Sequence, residues 1–258
     1  MPCSPEGSCY RRLRRMAERG GPVTGWAVPP CDPPELELEG SDLRFAVHRI
    51  WCVGRNYAAH AREMEPDPAR LAGSEPPFFF LKPATALASG GGTVPYPPNT
   101  RLLHHEVELV AAIGRRGWKL DPTTALDHVF GYGVGVDLTR RDRQAEAKRS
   151  GRPWSMAKGF DRSAPCSRLV TAAEIGHPAS GRITARVNGV LRQDADLSDQ
   201  IWGVGQVVAA LSAELEILPG DLLYTGTPAG VGALEVGDTI VAAIEGVGSV
   251  EVTIAPPR

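Results

Sequence analysis

The run His104-His105-Glu106-Val107-Glu108-Leu109-Val110-Ala111-Ala112-Ile113 constrains this chain more than any other stretch. From Val107 onward it reads as a strand, in which successive side chains take opposite faces. Glu106 and Glu108 therefore share one face, while Val107, Leu109, Ala111 and Ile113 share the other, which wants a core. Past Glu108 the acidic face continues as Val110 and Ala112, so the two carboxylates stand at the edge of an apolar environment. Like charges placed there repel. They can share a proton, hold a cation between them, or be freely reached by water.

A third acid bears on that choice. The small-residue apolar run Phe130-Gly131-Tyr132-Gly133-Val134-Gly135-Val136 ends in Asp137, as a buried strand ends at a pocket. Glu106, Glu108 and Asp137 would form an oxygen-only set, with no Cys and no His at ligand spacing beside them. Such a set suits a hard cation, Mg2+ or Mn2+. On spacing alone, however, a solvated strand face is the commoner source of an E-x-E pattern.

Composition excludes several classes. A chain of 258 residues with 42% hydrophobic and 22% charged residues can bury a substantial core, and one large domain is the simplest reading. A formal net charge of −2 gives no general pull toward nucleic acid or an anionic membrane. Five cysteines, odd in number and without C-x-x-C spacing, suggest neither a disulfide framework nor a zinc site, so a cytoplasmic setting is expected. We find no apolar run long enough to cross a bilayer and no secretory signal. The basic cluster Arg11-Arg12-Leu13-Arg14-Arg15 could touch nucleic acid or a membrane. We read it instead as a solvated extension, because it is cut off by Gly20-Gly21-Pro22 and lacks interleaved aromatic residues.

Along the chain, Glu35-Leu36-Glu37-Leu38-Glu39 alternates as a strand with one wet face. Residues 50–54 run as an apolar strand into Gly54, and Asn56 is placed to cap a short helix. On that helix His60 and Glu63 lie three apart and share a face. They are either an acid–base dyad, the carboxylate orienting the imidazole, or an incidental surface pair. Lys82, after the apolar run 78–81, faces either the acids or the surface. The glycines at 90–92 lack the pattern of a phosphate-binding loop. Basic residues just past Asp137, Arg140, Arg141 and Arg143, can neutralise the acids or bind an anionic ligand. Asn188-Gly189 between two apolar runs signals a hairpin, and residues 201–215 have the apolar spacing of a packed helix.

Taken together these blocks resemble the fumarylacetoacetate hydrolase family. The likeness is carried by Gly54-Arg55-Asn56-Tyr57 with His60 and Glu63, by His105-Glu106-Val107-Glu108-Leu109, and by Asp137-Leu138-Thr139 with Arg141 and Gln144. It continues through Lys158-Gly159-Phe160-Asp161 and Thr225-Gly226-Thr227-Pro228-Ala229-Gly230, all in the family's order. Within the family, Ala58-Ala59-His60-Ala61-Arg62-Glu63-Met64, Pro77-Phe78-Phe79-Phe80 and Glu146-Ala147-Lys148 lean toward the fumarylpyruvate hydrolases. Arg143 and Cys166 depart from that pattern at positions expected near the site.

The resemblance implies an α+β, β-rich fold, a mixed β-sandwich roll with short peripheral helices. It places an N-terminal extension and leading strand at 1–45 and the catalytic domain at 46–258. It also implies a homodimer acting on a small diacid or keto acid, with no nucleic-acid or membrane partner. Glu106, Glu108 and Asp137 fall on the metal positions. His60, Glu63 and Lys158 fall on catalytic positions, and Arg141, Gln144 and Thr227 on substrate-binding ones. The implied reaction is hydrolysis of a C–C bond in an acylpyruvate, fumarylpyruvate to fumarate and pyruvate. An oxaloacetate decarboxylase, a hydroxymuconate-type isomerase, or a non-catalytic metal-dependent binder of diacids are the alternatives.

Overall fold

The computed structural model describes residues 27–28, 31–64 and 76–258. The basic cluster at 11–15 lies outside the described residues. A compact unit runs from residue 33 to 258, and its strands are numbered below in chain order.

The unit opens with the expected alternating strand, β1 (Glu35–Glu37), paired antiparallel to β2 (Arg44–Ala46) with Leu36 opposite Phe45. Leu36 and Leu38 are buried, Glu35 and Glu39 are exposed, and Glu37 between the leucines is half-buried.

An eight-stranded mixed sheet follows. Its order is β4 (Phe78–Lys82), β3 (Arg49–Gly54), β15 (Asp221–Tyr224), β8 (Val107–Ile113), β9 (Val129–Val136), β11 (Ala164–Cys166) and β5 (Leu87–Ser89), with β12 (Val170–Thr171) also paired to β9. β3 with β15 and β11 with β5 are parallel, and the other neighbours are antiparallel. The two edge strands β4 and β5 are separated in sequence only by residues 83–86. A sheet whose opposite edges are tethered this closely has to curl, and the intrinsic strand twist favours it. Tyr224 of β15 reaches across the concave side to donate to the Pro165 carbonyl of β11 at 3.0 Å.

Because side chains alternate, the sheet builds two cores. Ile50, Cys52, Val110, Ala112, Cys166 and Leu222 fill the concave side, sealed by Leu36 and Leu38. Val107, Leu109, Ile113, Val134 and Val136 point the other way, into a core shared with a five-stranded sheet. That sheet has the order β14 (Val190–Asp196), β13 (Arg182–Val187), β17 (Thr239–Ile244), β18 (Gly248–Ala255) and β6 (Gly92–Pro95). The β13–β14 hairpin turns at Asn188 and Gly189 with φ of 52° and 78°, the left-handed values that this residue pair accepts most readily. The β-rich sandwich roll read from the resemblance is the observed fold.

The helices are short and peripheral: α1 (Ala58–Met64), α2 (Arg141–Arg149), α3 (Ser155–Lys158), α4 (Ala172–Ile175) and α5 (Val204–Glu214). α5 buries Val204, Val207, Val208 and Leu211 in the larger core, as its spacing predicts. One expectation needs correction. Asn56 does not cap α1: its Nδ2 donates to the carbonyls of Trp202 and Thr225, and its Oδ1 accepts from Trp202 N. Residues 155–158 form one helical turn in which Ala157 N and Lys158 N donate to Trp154 O. A single turn is too short to leave a periodic signal.

Candidate functional site

The acids meet where one ladder hands over to another. In β8 and β9, Val107 pairs with Val136 and Glu108 with Gly135; beyond them β7 (Leu103–His105) pairs on one side with β10 (Thr139–Arg140), His104 opposite Thr139, and on the other with β16 (Gly232–Leu234). Glu106 and Asp137 occupy the junction, joined by the Asp137 N to Glu106 O bond of 2.8 Å. Their side chains and that of Glu108 converge, each offering an oxygen within 4.8 Å of the others, and all three residues are buried. Glu108 stands opposite a glycine, so the cross-strand position adds no bulk against it.

Much of the neutralising charge comes from the protein itself. Lys158 Nζ lies 2.8 Å from Glu106 Oε2 and 2.6 Å from Asp137 Oδ2. Arg141 Nη2 contacts Glu106 Oε1, its Nη1 donates to Gln144 Oε1 at 2.6 Å, and its Nε to His104 Nδ1 at 3.3 Å. Among the basic residues past Asp137, Arg141 makes a neutralising contact, with Glu106, while also lining the pocket. Lys82, whose direction the sequence left open, is fully buried with Nζ 2.7 Å from Asp137 Oδ1. Lys158, Arg141 and Lys82 thus bring positive charge to Glu106 and Asp137.

Glu108 is treated differently. Gly226 N donates to its Oε2 at 2.7 Å. Burial, with Asp137 and Glu106 adding to it, pushes its carboxyl well above the usual carboxylate range. Glu106 is also buried, but Lys158 and Arg141 overcome that and hold it well below the range. The Gly226 donor needs its glycine, with φ at +97° and a would-be Cβ 2.6 Å from Asn56 Cβ.

These observations test whether the residues fit a divalent cation. Three carboxylates supply an oxygen-only donor set. Glu108 resists ionising unless positive charge arrives, and Asp137 Oδ1 is buried without a hydrogen bond even beside Lys82. Both features fit a hard cation.

His60 lies in the same pocket as Glu106, Glu108, Arg141, Gln144 and Lys158. Its Nδ1 is 3.2 Å from Glu63 Oε2, and both Glu63 oxygens lie 3.3 Å from Gly230 N. With Nδ1 facing the carboxylate, that nitrogen carries the hydrogen and Nε2 is left as the acceptor. Burial lowers the imidazole pKa against the raising pull of Glu106 and Glu63, so the ring is neutral at pH 7. Thr227 lines this pocket and accepts from Gln193 Nε2 at 2.8 Å. Gln193 is fully buried, and its Oε1 accepts from Val107 N at 3.1 Å and lies 2.9 Å from His105 Nδ1. It ties the acid strand to the 225–230 loop. Nothing in its local sequence marks that role, because the partners come from β8 and from the loop after β15.

All nine residues named from the resemblance thus surround one pocket or support it. The two departures do not line it. Arg143 donates to Asn99 O at 2.6 Å and pairs with Glu146 on the exposed side of α2, while Cys166 is packed in the concave core.

Comparison with known proteins agrees with this geometry. The Fumarylacetoacetate (FAA) hydrolase C-terminal family matches residues 49–255, and the chain belongs to that family. It is 46% identical, with a TM-score of 0.86, to the crystal structure of fumarylpyruvate hydrolase from Pseudomonas aeruginosa in complex with Mn2+ and pyruvate, covering 90% of this chain and 100% of that one. The fumarylpyruvate hydrolase of a Ralstonia species is 40% identical over 182 residues, 70% of this chain and 94% of that protein. The mitochondrial oxaloacetate tautomerase of Rattus norvegicus is 43% identical over 198 residues, 77% of this chain and 87% of that protein.

Proposed function

We propose that this protein hydrolyses the carbon–carbon bond of an acylpyruvate, with fumarylpyruvate as substrate and fumarate and pyruvate as products. The observation that carries the reading is that His60, held by Glu63, lines one pocket with Glu106 and Glu108, whose carboxylates cluster with that of Asp137. Its match to a fumarylpyruvate hydrolase that binds Mn2+ and pyruvate supports the same reading.

Neutral His60 accepts a proton at Nε2 from a water, whose oxygen bonds to the carbonyl carbon distal to the carboxylate. Glu63 fixes the ring and stabilises the imidazolium, and Gly230 N fixes Glu63. The C–C bond then breaks, its electron pair passing to the pyruvate fragment as an enolate while the attacked carbon leaves as the new carboxyl group, and the proton held by His60 passes to the enolate's terminal carbon, which becomes the methyl group of pyruvate. A divalent ion held by Glu106, Glu108 and Asp137, Mg2+ or Mn2+, supplies Lewis acidity where the enolate charge develops. Lys158 and Arg141 hold these carboxylates in place, Gln144 buttresses Arg141, and Thr227 presents its hydroxyl beside the reacting carbonyl. The reading also includes a homodimer in the cytoplasm; light scattering tests the first. Among the described residues no helix is long and apolar enough to cross a membrane.

A second reading has specific support, because a relative of 43% identity is an oxaloacetate tautomerase. Tautomerisation needs a proton shuttle such as His60 but no attacking water. Purified protein with Mg2+ or Mn2+ should be given fumarylpyruvate, maleylpyruvate, oxaloacetate and a hydroxymuconate-type diacid. Hydrolysis removes enol absorbance with one pyruvate released per substrate. Tautomerisation changes absorbance without pyruvate, decarboxylation of oxaloacetate gives pyruvate with CO2, and a non-catalytic binder changes neither.

A further inference from the structure

Gln193 belongs to β14 of the five-stranded sheet, yet its side chain ends beside Val107 of the eight-stranded one. It is fully buried, and all of its hydrogen-bonding capacity is used. Oε1 accepts from Val107 N at 3.1 Å and lies 2.9 Å from His105 Nδ1, while Nε2 lies 2.8 Å from both Thr227 Oγ1 and Pro228 O. Two of these partners fix which end of the amide is which. A backbone N–H only donates and a backbone carbonyl only accepts, so the oxygen faces Val107 and the nitrogen faces Pro228. The other two roles follow: His105 Nδ1 carries a hydrogen, and Thr227 Oγ1 accepts.

That last role bears on the chemistry. A threonine hydroxyl has one hydrogen, and when Gln193 occupies a lone pair of its oxygen that hydrogen has to point elsewhere. Thr227 makes no other hydrogen bond among the described residues, and it lines the pocket with His60 and Glu106. The loop leading to it is held by other means. Thr225 N and Oγ1 donate to Leu109 O at 3.0 and 2.9 Å, Gly226 N donates to Glu108 Oε2 at 2.7 Å, and Asn56 Nδ2 donates to Thr225 O at 2.8 Å. Residues 225 and 226 thus keep their place without Gln193, whose two amide hydrogens go to the next two residues.

We infer that Gln193 is a positioning residue: it takes the acceptor side of the Thr227 hydroxyl and so aims the hydroxyl hydrogen into the pocket, at the oxygen of the carbonyl that water attacks. This deepens the acylpyruvate reading and rests on it for the identity of that carbonyl. As water adds, the carbonyl oxygen gains negative charge. A donor already pointed at it stabilises that charge more than it stabilises the bound substrate, and a donor that has first to be oriented contributes less. Without Gln193 the hydroxyl is free to rotate. The amide is itself anchored on the backbone of Val107, the residue between the two glutamates, so the donor is kept in register with the strand that carries the acids.

The test uses two ligands of one shape on the Mn2+-loaded protein. The 4-amide of oxaloacetate has a carbonyl oxygen at the position water would attack and, as an amide, is too poor an electrophile to be cleaved. 4-Methyl-2-oxopentanoate has the same branching and no such oxygen. Calorimetry gives the ratio of their affinities, amide over alkyl, and pyruvate release from fumarylpyruvate is measured alongside. Thr227→Val should lower the ratio about fivefold, the scale of one hydrogen bond, and Gln193→Met should lower it as far. The double variant should fall no further than either, because both changes remove the same donor. Thr227→Ser keeps the hydroxyl without the methyl and should hold the ratio within about twofold; it decides the matter alone if Gln193→Met, which strips partners from Val107 N and Pro228 O, does not fold. In hydrolysis Thr227→Val and Gln193→Met should each lose about 10²-fold in kcat with KM little changed. A ratio that survives Gln193→Met, losses that multiply in the double variant, or a Thr227→Ser ratio as low as that of Thr227→Val overturns the inference. If the ratios move as required while fumarylpyruvate gives no pyruvate, the positioning role stands and the hydrolase reading falls.

Discussion

Lys82 Nζ lies 2.7 Å from Asp137 Oδ1, yet that oxygen receives no hydrogen bond. The three hydrogens of the ammonium go to backbone carbonyls instead: Leu138 O at 3.1 Å, Lys158 O at 2.5 Å and Ser163 O at 3.0 Å. Lys82 therefore does two things from the edge strand β4. It pins the segment that carries Lys158, and it supplies charge to Asp137 while leaving one carboxylate oxygen available.

Removing that ammonium leaves a buried carboxylate short of compensation, which typically costs about 3–5 kcal/mol. Lys82→Met should lose about that much in denaturant unfolding with chelator present. Saturating Mn2+ should restore part of it by bringing positive charge to Asp137. An identical loss with and without Mn2+ would separate Lys82 from the metal centre.

Glu108 differs from its neighbours in having its carboxyl pushed up by burial and by Asp137 and Glu106. As a ligand its loss should exceed the effect of removing a supporting residue, so Glu108→Ala should weaken Mn2+ binding by more than about a hundredfold in calorimetry. Affinity equal to that of the unaltered protein would take Glu108 out of the donor set.

A general base of the kind assigned to His60 contributes on the order of 10²–10⁴-fold. His60→Ala should lose turnover on that scale while keeping its Mn2+ affinity and unfolding midpoint, since the imidazole lies beside the acids without binding them. Turnover within a few-fold of the unaltered protein would refute the dyad.

The pH profile follows from the same ring. Burial holds the His60 pKa below its ordinary value of 6.5. Only the neutral ring can act as base, so the acid limb of kcat/KM should have its midpoint below pH 6.5, where the ring protonates. Glu63 raises this pKa, hence Glu63→Gln should move the acid limb to still lower pH while reducing the plateau. A limb that moves upward in this variant would contradict the assignment.

Local pattern by itself determined a good part of this protein. Alternation placed β8 and β1, Asn188-Gly189 placed a hairpin, and apolar spacing placed α5, because backbone geometry and burial of one face are local consequences of residue order. The shared face of Glu106 and Glu108 followed from the strand period, and the ordered motifs linked Asp137, His60 and Lys158 to them by resemblance. The tertiary structure alone decided how these acids are held. Curling of the large sheet brings Lys82 from an edge strand under Asp137, and the second sheet brings Gln193 to Thr227. The array of Phe80 and Trp154 between Lys158 and Lys148 likewise joins β4 to the segment after α2. Such pairings depend on which distant segments share a buried volume. Charge compensation in that volume acts through space, so no local period or spacing can carry it.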